Sequence, residues 1–315
     1  MADRSIASPG LPPEIRPGSV AIERAIDADA DPTLEIDGSD RGRRSRSTSV
    51  GSRGPGRWIM RIVALTYLAF LLVIPVGLVF WRTFAHGIGP VWKALTTDGA
   101  LHAFQVTFIV AGCAVVLNTG FGMVASFLLV RHKFRGKGII NKLIDLPLAV
   151  SPVVVGLSLI LVYGRETTIG SWFGGQGIDI IYALPGMVMA TAFVSLPLMV
   201  REVVPILEEI GTDQEQAAAT LGATPTQTFL RVTLPAIKWG VAYGIILTLA
   251  RCLGEFGAVA VVSGRVVGQT QTATLYVEQS FENFKQADAY AVAFALAALA
   301  ILALLIMNLF RPKEP

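Results

Sequence analysis

Two opposite charges, Arg251 and Glu255, stand four residues apart inside the apolar segment 238–263. On a helix this spacing places both on one face. A charge at the centre of a bilayer costs at least about 2.5–3.5 kcal/mol, so such side chains face protein or water. The pair has two possible uses. It can line a polar path or form a gate, with Arg251 attracting an anion and Glu255 neutralising it, or it can be a buried ion pair that fixes packing against another chain. Gly254, Gly257 and Gly264 suit close helix approach or local unwinding and fit both uses. Ser151, Ser158, Thr191 and Ser195 offer hydroxyls either to an oxyanion or to their own helix carbonyls. Lys142 and Asp145, three apart, have the spacing of an ion pair at headgroup level. No bond-breaking chemistry is visible. There is no histidine–carboxylate cluster or activated Ser or Cys, and His86, His102 and His132 lack metal-ligand spacing. Cys113 and Cys252, both in apolar runs, read as two buried thiols rather than a disulfide or metal pair. The expectation is a chain with no catalytic residue and no metal.

The elements that must position these residues are membrane helices. Hydrophobic residues make up 53% of the chain and charged residues 16%, against about 25% charged in soluble domains, so much of the surface is suited to lipid. Six segments reach the roughly 20 apolar residues a span requires: 58–82, 103–130, 140–163, 179–201, 238–263 and 287–310. Pro75, Pro147, Pro152, Pro185 and Pro197 are expected to kink or end helices. Residues 1–57, rich in Asp, Arg, Ser, Pro and Gly, read as a disordered tail without a signal peptide. The connection after the second span holds Arg131, Lys133, Arg135, Lys137 and Lys142, whereas that after the third holds Arg165. This bias places both termini and the 131–142 and 201–238 loops in the cytoplasm. No basic face interleaved with aromatics supports nucleic-acid binding.

The polar insert 205–235 has a readable local grammar. Thr212 with Glu215 has the form of a capping box, 214–221 are mostly good helix formers, and Gly222 suits a helix stop. Thr224-Pro225 with Gln227 starts a second helix, and Pro235 marks entry to the fifth span. The small residues Ala217, Ala218 and Ala219 give the first helix a face that another protein surface could approach closely.

This pattern resembles the cytoplasmic loop of ATP-binding cassette (ABC) importer permeases, whose signature is Glu-Ala-Ala, three residues, Gly, nine residues, then Ile-x-Leu-Pro. The chain reads Gln216-Ala217-Ala218, Gly222 and Val232-Thr233-Leu234-Pro235 at those places. Gln replaces the signature glutamate, leaving open whether neighbouring Glu215 supplies the charge or none is needed. The resemblance covers about 58–310. With Asp145-Leu146-Pro147, Ser151-Pro152, Gly254-Glu255-Phe256-Gly257 and Leu275-Tyr276-Val277-Glu278, it is similar to sulfate/thiosulfate importer permeases of the CysW type, with molybdate and tungstate permeases as relatives.

The resemblance implies an all-α integral membrane protein with the six-helix type I importer permease fold over 58–310, a coupling loop at about 205–235 and a cytoplasmic tail at 311–315. It implies a bacterial plasma membrane location, a sister permease subunit, two ATPase subunits docked on the coupling loops, and an extracytoplasmic sulfate-binding protein. The coupling residues would be Glu215, Gln216, Ala217, Ala218, Gly222, Leu234 and Pro235; the path or gate would use Arg251, Gly254, Glu255, Gly257 and Ser151. ATP and Mg would sit on the partner ATPase. Consistent with this, no phosphate loop occurs here, since Gly136-Lys137 is followed by Gly138 rather than Ser or Thr. An ion-gradient-driven transporter would need matching internal repeats, and none stands out.

Overall fold

A computed structural model describes residues 55–309, and no strand occurs among the described residues. The expected tail 1–57 lies outside them except for 55–57, as do 311–315. The first span combines α1 (Pro55–Leu68), a π turn at Ala69–Val73 and α2 (Ile74–Phe84). The short α3 (Ile88–Leu95) leads to α4 (Asp98–Arg131), a single 34-residue helix. Next come α5 (Lys137–Ala149), α6 (Pro152–Tyr163), short α7 (Thr168–Gly174) and α8 (Leu184–Ile210). The polar insert forms α9 (Asp213–Thr220) and α10 (Pro225–Thr228). A π turn at Phe229–Thr233 then runs into α11 (Leu234–Leu253). The chain ends with α12 (Gly257–Val262), α13 (Ala273–Glu282) and α14 (Gln286–Leu309).

Both π turns stop two residues before a proline, Pro75 in one case and Pro235 in the other. Proline lacks the N–H that an α-helix needs and crowds the carbonyl four residues back. A wider turn at that carbonyl lets the helix continue. Pro235 therefore sits within a continuous helical run from Pro225 to Leu253 rather than marking a boundary between a loop helix and a span.

Two expected spans are broken. The segment 140–163 is not one rod: α5 and α6 meet at 110°. Pro152 disfavours helical backbone at the preceding residue, and Val150 and Ser151 are both extended. The segment 238–263 stops at Leu253 and restarts at Gly257, so Arg251 lies in the last turn of α11 and Glu255 beyond its end, not mid-span. The two breaks touch: a Cβ on Gly257 would stand 3.1 Å from Pro152 Cβ.

The core is formed where α4, α8 and α11 pack side by side. Met199 on α8, fully buried, fills slots left by Gly122 on α4 and Gly244 on α11. Small residues are the usual means of close packing between membrane helices. Nearby, Asn118 Nδ2 donates to Ser195 Oγ at 2.8 Å and to Ala192 O at 3.0 Å. Ser195 Oγ donates to Thr191 O at 2.7 Å, and Ser158 to Val154 O at 2.9 Å. Both hydroxyls thus serve their own helices. Cys252 is buried beside Ser195, but Cys113 points out of the bundle, contrary to the reading of two buried thiols. In the first span, 63–78 are uncovered by the rest of the chain. Thr83 is buried, donating to Tyr290 O at 3.2 Å, and Phe84 meets Phe294 edge-on.

Gly156 on α6 is where the paired breaks are tightest. A Cβ there would stand 2.8 Å from both Ala258 O and Val261 Cβ. Gly156→Val is expected to cost about 1–3 kcal/mol by overpacking. A lower unfolding temperature of the purified protein in detergent, with Gly156→Ala intermediate, is the outcome that checks it.

Candidate functional site

The polar insert is built from successive helix stops. Helix α8 ends at Gly211, whose φ of 67° suits glycine. Helix α9 ends in a Schellman motif: Gly222 N donates to Ala219 O at 3.0 Å and Ala223 N to Ala218 O at 3.1 Å. Gly222 has a φ of 85°, as the motif requires. The next turn starts from a complete capping box, with Thr224 Oγ1 accepting from Gln227 N and Gln227 Oε1 accepting from Thr224 N. Gln216, Ala217 and Ala219 are exposed, and Ala218 is half-buried. Leu221 is 89% exposed, an apolar side chain left uncovered by its own chain. Leu234 packs partly into the core, whereas Pro235 is exposed.

The expected capping box at Thr212 and Glu215 is absent. Thr212 makes no cap hydrogen bond and instead accepts from Gln216 Nε2 at 3.0 Å. The Glu215 carboxylate turns inward. Its Oε2 lies 3.0 Å from Arg131 Nε, and its Oε1 accepts from Arg131 Nη2 at 3.1 Å and from Thr233 Oγ1 at 2.9 Å. A paired carboxylate of this kind outcompetes a local cap, because the guanidinium supplies charge-assisted bonds. Glu215 is thus held by its own chain, and the signature position itself carries neutral, exposed Gln216. The sequence offers Arg131 only as a topology-setting cation; its partner is 84 residues away, and no local spacing reveals it.

The second cluster lies at the paired breaks. Arg251 Nη1 donates to Glu255 Oε2 at 2.7 Å, so the four-residue spacing does form an ion pair. Glu255 Oε1 accepts from Ala258 N at 2.9 Å, and the Glu255 carbonyl accepts from Thr274 Oγ1 at 2.9 Å. The Glu255 side chain is 3% exposed, that of Arg251 38%. Glu255 therefore ties the end of α11 to the start of α12 and to α13, while Arg251 keeps a partly open guanidinium. Gly257 is brought against the α5–α6 break, where Ser151 stands exposed and makes no side-chain cap bond to α6. Gly254 has negative φ and open space around it, so neither strain nor crowding requires a glycine there. The coupling-loop residues and these break residues form two separate groups along the chain.

Lys142 and Asp145 do not pair. Asp145 instead binds Arg201 of α8 through two hydrogen bonds, one of them 2.8 Å from Arg201 Nε to Oδ1. The bend lays α5 along α8 and leaves Lys142 exposed. Beyond the spans, Arg165 makes a two-pronged pair with Asp179, which raises the guanidinium pKa further.

A family model described as "binding-protein-dependent transport system inner membrane component" matches residues 118–314, which include both clusters. The sulfate transport system permease protein CysW of Synechocystis sp. is 44% identical over 257 residues, covering 82% of this chain and 93% of that protein. The chain belongs to the CysW-type permeases of binding-protein-dependent transport systems. The CysW permease of Escherichia coli is 38% identical over 256 residues, 81% of this chain and 88% of its own length. A solved bacterial alginate ABC transporter in complex with its alginate-bound periplasmic protein aligns with a TM-score of 0.66 at 15% identity. It covers 80% of this chain and 92% of that one. The fold of this permease is the type I ABC importer permease fold, and the chain is a multi-pass membrane protein.

Glu255 supplies the test of what the break cluster does for this permease. Glu255→Ala strips the partners from Arg251 and from the buried Ala258 N–H and is expected to cost about 1–3 kcal/mol. Glu255→Gln retains an acceptor and is expected to cost about half that. Thermal unfolding of wild type and the two purified variants gives the comparison; wild-type stability in Glu255→Ala would exclude a structural tie.

Proposed function

We propose that this permease moves sulfate into the cell as one half of a heterodimeric path, driven by a separate pair of ATPase subunits. The observation that carries the reading is the uncovered end of α9, with Ala217, Ala219 and Leu221, in a chain whose relatives are named sulfate transport system permeases. A short helix with small residues and one projecting leucine fits a groove on a second protein, as helix-in-groove recognition requires.

In this reading both termini and the loops at 131–142 and 201–238 are cytoplasmic, supported by the five Lys and Arg residues of 131–142 against the single Arg165 after the third span. A sister permease lines the path together with this chain, and an extracytoplasmic binding protein delivers the anion. ATP and Mg²⁺ belong to the ATPase subunits; this chain binds neither and acts as a transport subunit rather than as an enzyme. Closure of the ATPases shifts α9, and the spans turn the path outward. Arg251, with its partly open guanidinium near Ser151's break, is the cation that attracts the dianion. The buried Glu255 limits how tightly the dianion is held, while Gly257 keeps the α5–α6 break packed against this cluster.

Labelled sulfate uptake by the reconstituted complex, with and without ATP, tests the function. ATP-dependent uptake that excess molybdate does not suppress is the expected result; suppression by molybdate would assign that oxyanion as cargo instead. Gly222 tests docking. Its surroundings are open, so a side chain fits, but the left-handed backbone costs a non-glycine residue roughly 1–2 kcal/mol. Gly222→Val is expected to weaken capture of the ATPase subunit about 5- to 30-fold, read by titrating ATPase onto permease in detergent.

A further inference from the structure

Arg131 is the last residue of α4, and its side chain is only 8% exposed. Its guanidinium binds two other helices at once. Nη1 donates to Leu207 O at 3.0 Å and Nη2 to Gly211 O at 2.6 Å, both carbonyls at the C-terminal end of α8. Such carbonyls lack helical partners and carry partial negative charge, so they favour a cation. The remaining bonds go to Glu215 in the first turn of α9, at 3.0–3.2 Å. Thr233, 4% exposed and leading into α11, donates to the same carboxylate. The ends of α4 and α8, the start of α11 and α9 therefore converge on one ion pair.

A cap for α8 would need only the two carbonyl bonds. A cap for α9 would need Glu215 turned back to its own helix start, where Thr212 waits without a cap bond. The carboxylate is used for neither. It reaches across to α4 and α11, so α9 cannot be displaced without pulling on both spans or breaking a pair that is largely shielded from water. Shielding keeps such a pair strong and directional.

We propose that Arg131 is a positioning residue for transport, and that the Arg131–Glu215 pair, with Thr233, is the joint through which movement of α9 reaches α4 and α11. This rests on the reading of α9 as the ATPase docking helix. The joint is distinct from the exposed Ala217, Ala219 and Leu221, which face the docking partner. It gives Glu215 a role inside the permease and leaves the signature position, Gln216, without charge.

The experiment uses the complete complex, with sister permease, ATPase subunits and binding protein, in liposomes. Sulfate imported per ATP hydrolysed is measured for wild type, Arg131→Ala, Arg131→Lys, Glu215→Gln, Thr233→Val and the Arg131→Ala/Glu215→Gln double variant. Co-purification of the ATPase reports assembly. The expected result is a fall of about tenfold in sulfate per ATP for Arg131→Ala and for Glu215→Gln, with hydrolysis continuing. The double variant should be no worse than the poorer single one, as two halves of one joint require. Should Arg131→Ala fail to assemble, Glu215→Gln decides alone, since it leaves both Arg131–carbonyl bonds in place. An unchanged ratio in assembled Glu215→Gln complexes, or losses that multiply in the double variant, would overturn the joint. Wild-type uptake indifferent to ATP would instead remove the docking reading beneath it.

Discussion

Lipid offers no hydrogen-bond partner to a polar group, and this constraint governs the permease wherever its helices are interrupted. An unbroken helix satisfies its own backbone; a break does not. The chain has two breaks, and it places them against each other. Glu255 takes the free N–H of Ala258 and offers its own carbonyl to Thr274, while Gly257 lets the other broken segment approach to van der Waals contact at Pro152. At the bend beside this contact Val150 is half-buried, whereas Ser151 stays exposed. The two breaks thus share one locality, and the continuous α4, α8 and α11 form the frame around it.

The same accounting explains the loop end of the bundle. Helix α8 stops at Gly211 with carbonyls to spare, α4 stops at Arg131 with donors to spare, and each supplies what the other lacks. Glu215 completes the set. Two regions of unlike character result: a shielded ionic knot on the bundle side of α9 and an uncovered face carrying Ala217 and Ala219 away from it. The helix is thus held firmly on one side and open on the other.

The sequence reveals these features unevenly, for physical reasons. Span positions are legible because twenty apolar residues in succession have few other uses, and the ends of α9 and α10 are legible because Gly222, Thr224 and Pro225 act on their own backbone neighbours. The breaks are harder to see. Long apolar runs surround Val150 and, apart from Arg251 and Glu255, Phe256, so hydropathy gives two rods where the chain makes angles; Pro152 after Ser151 and the Gly254–Gly257 pair are the faint marks. Arg251 and Glu255 are legible as a pair from their spacing, but not the burial that separates their roles. Least visible are pairings across elements. Glu215 with Arg131 and Asp145 with Arg201 join residues 84 and 56 positions apart, and in both cases a nearer candidate, Thr212 or Lys142, offers the simpler local account. Local spacing ranks only local partners, and packing chooses among the distant ones.

Met199 lies across two helices at once, filling the hollows at Gly122 and Gly244. Its thioether volume is therefore shared by three positions that cannot vary independently. A methyl gained at either hollow must be matched by atoms removed at 199, and a shorter residue at 199 leaves space that only growth at 122 or 244 can refill. Oxidation of that sulfur would add an oxygen where little room exists, so exposure to peroxide would strain the frame at a tightly filled point.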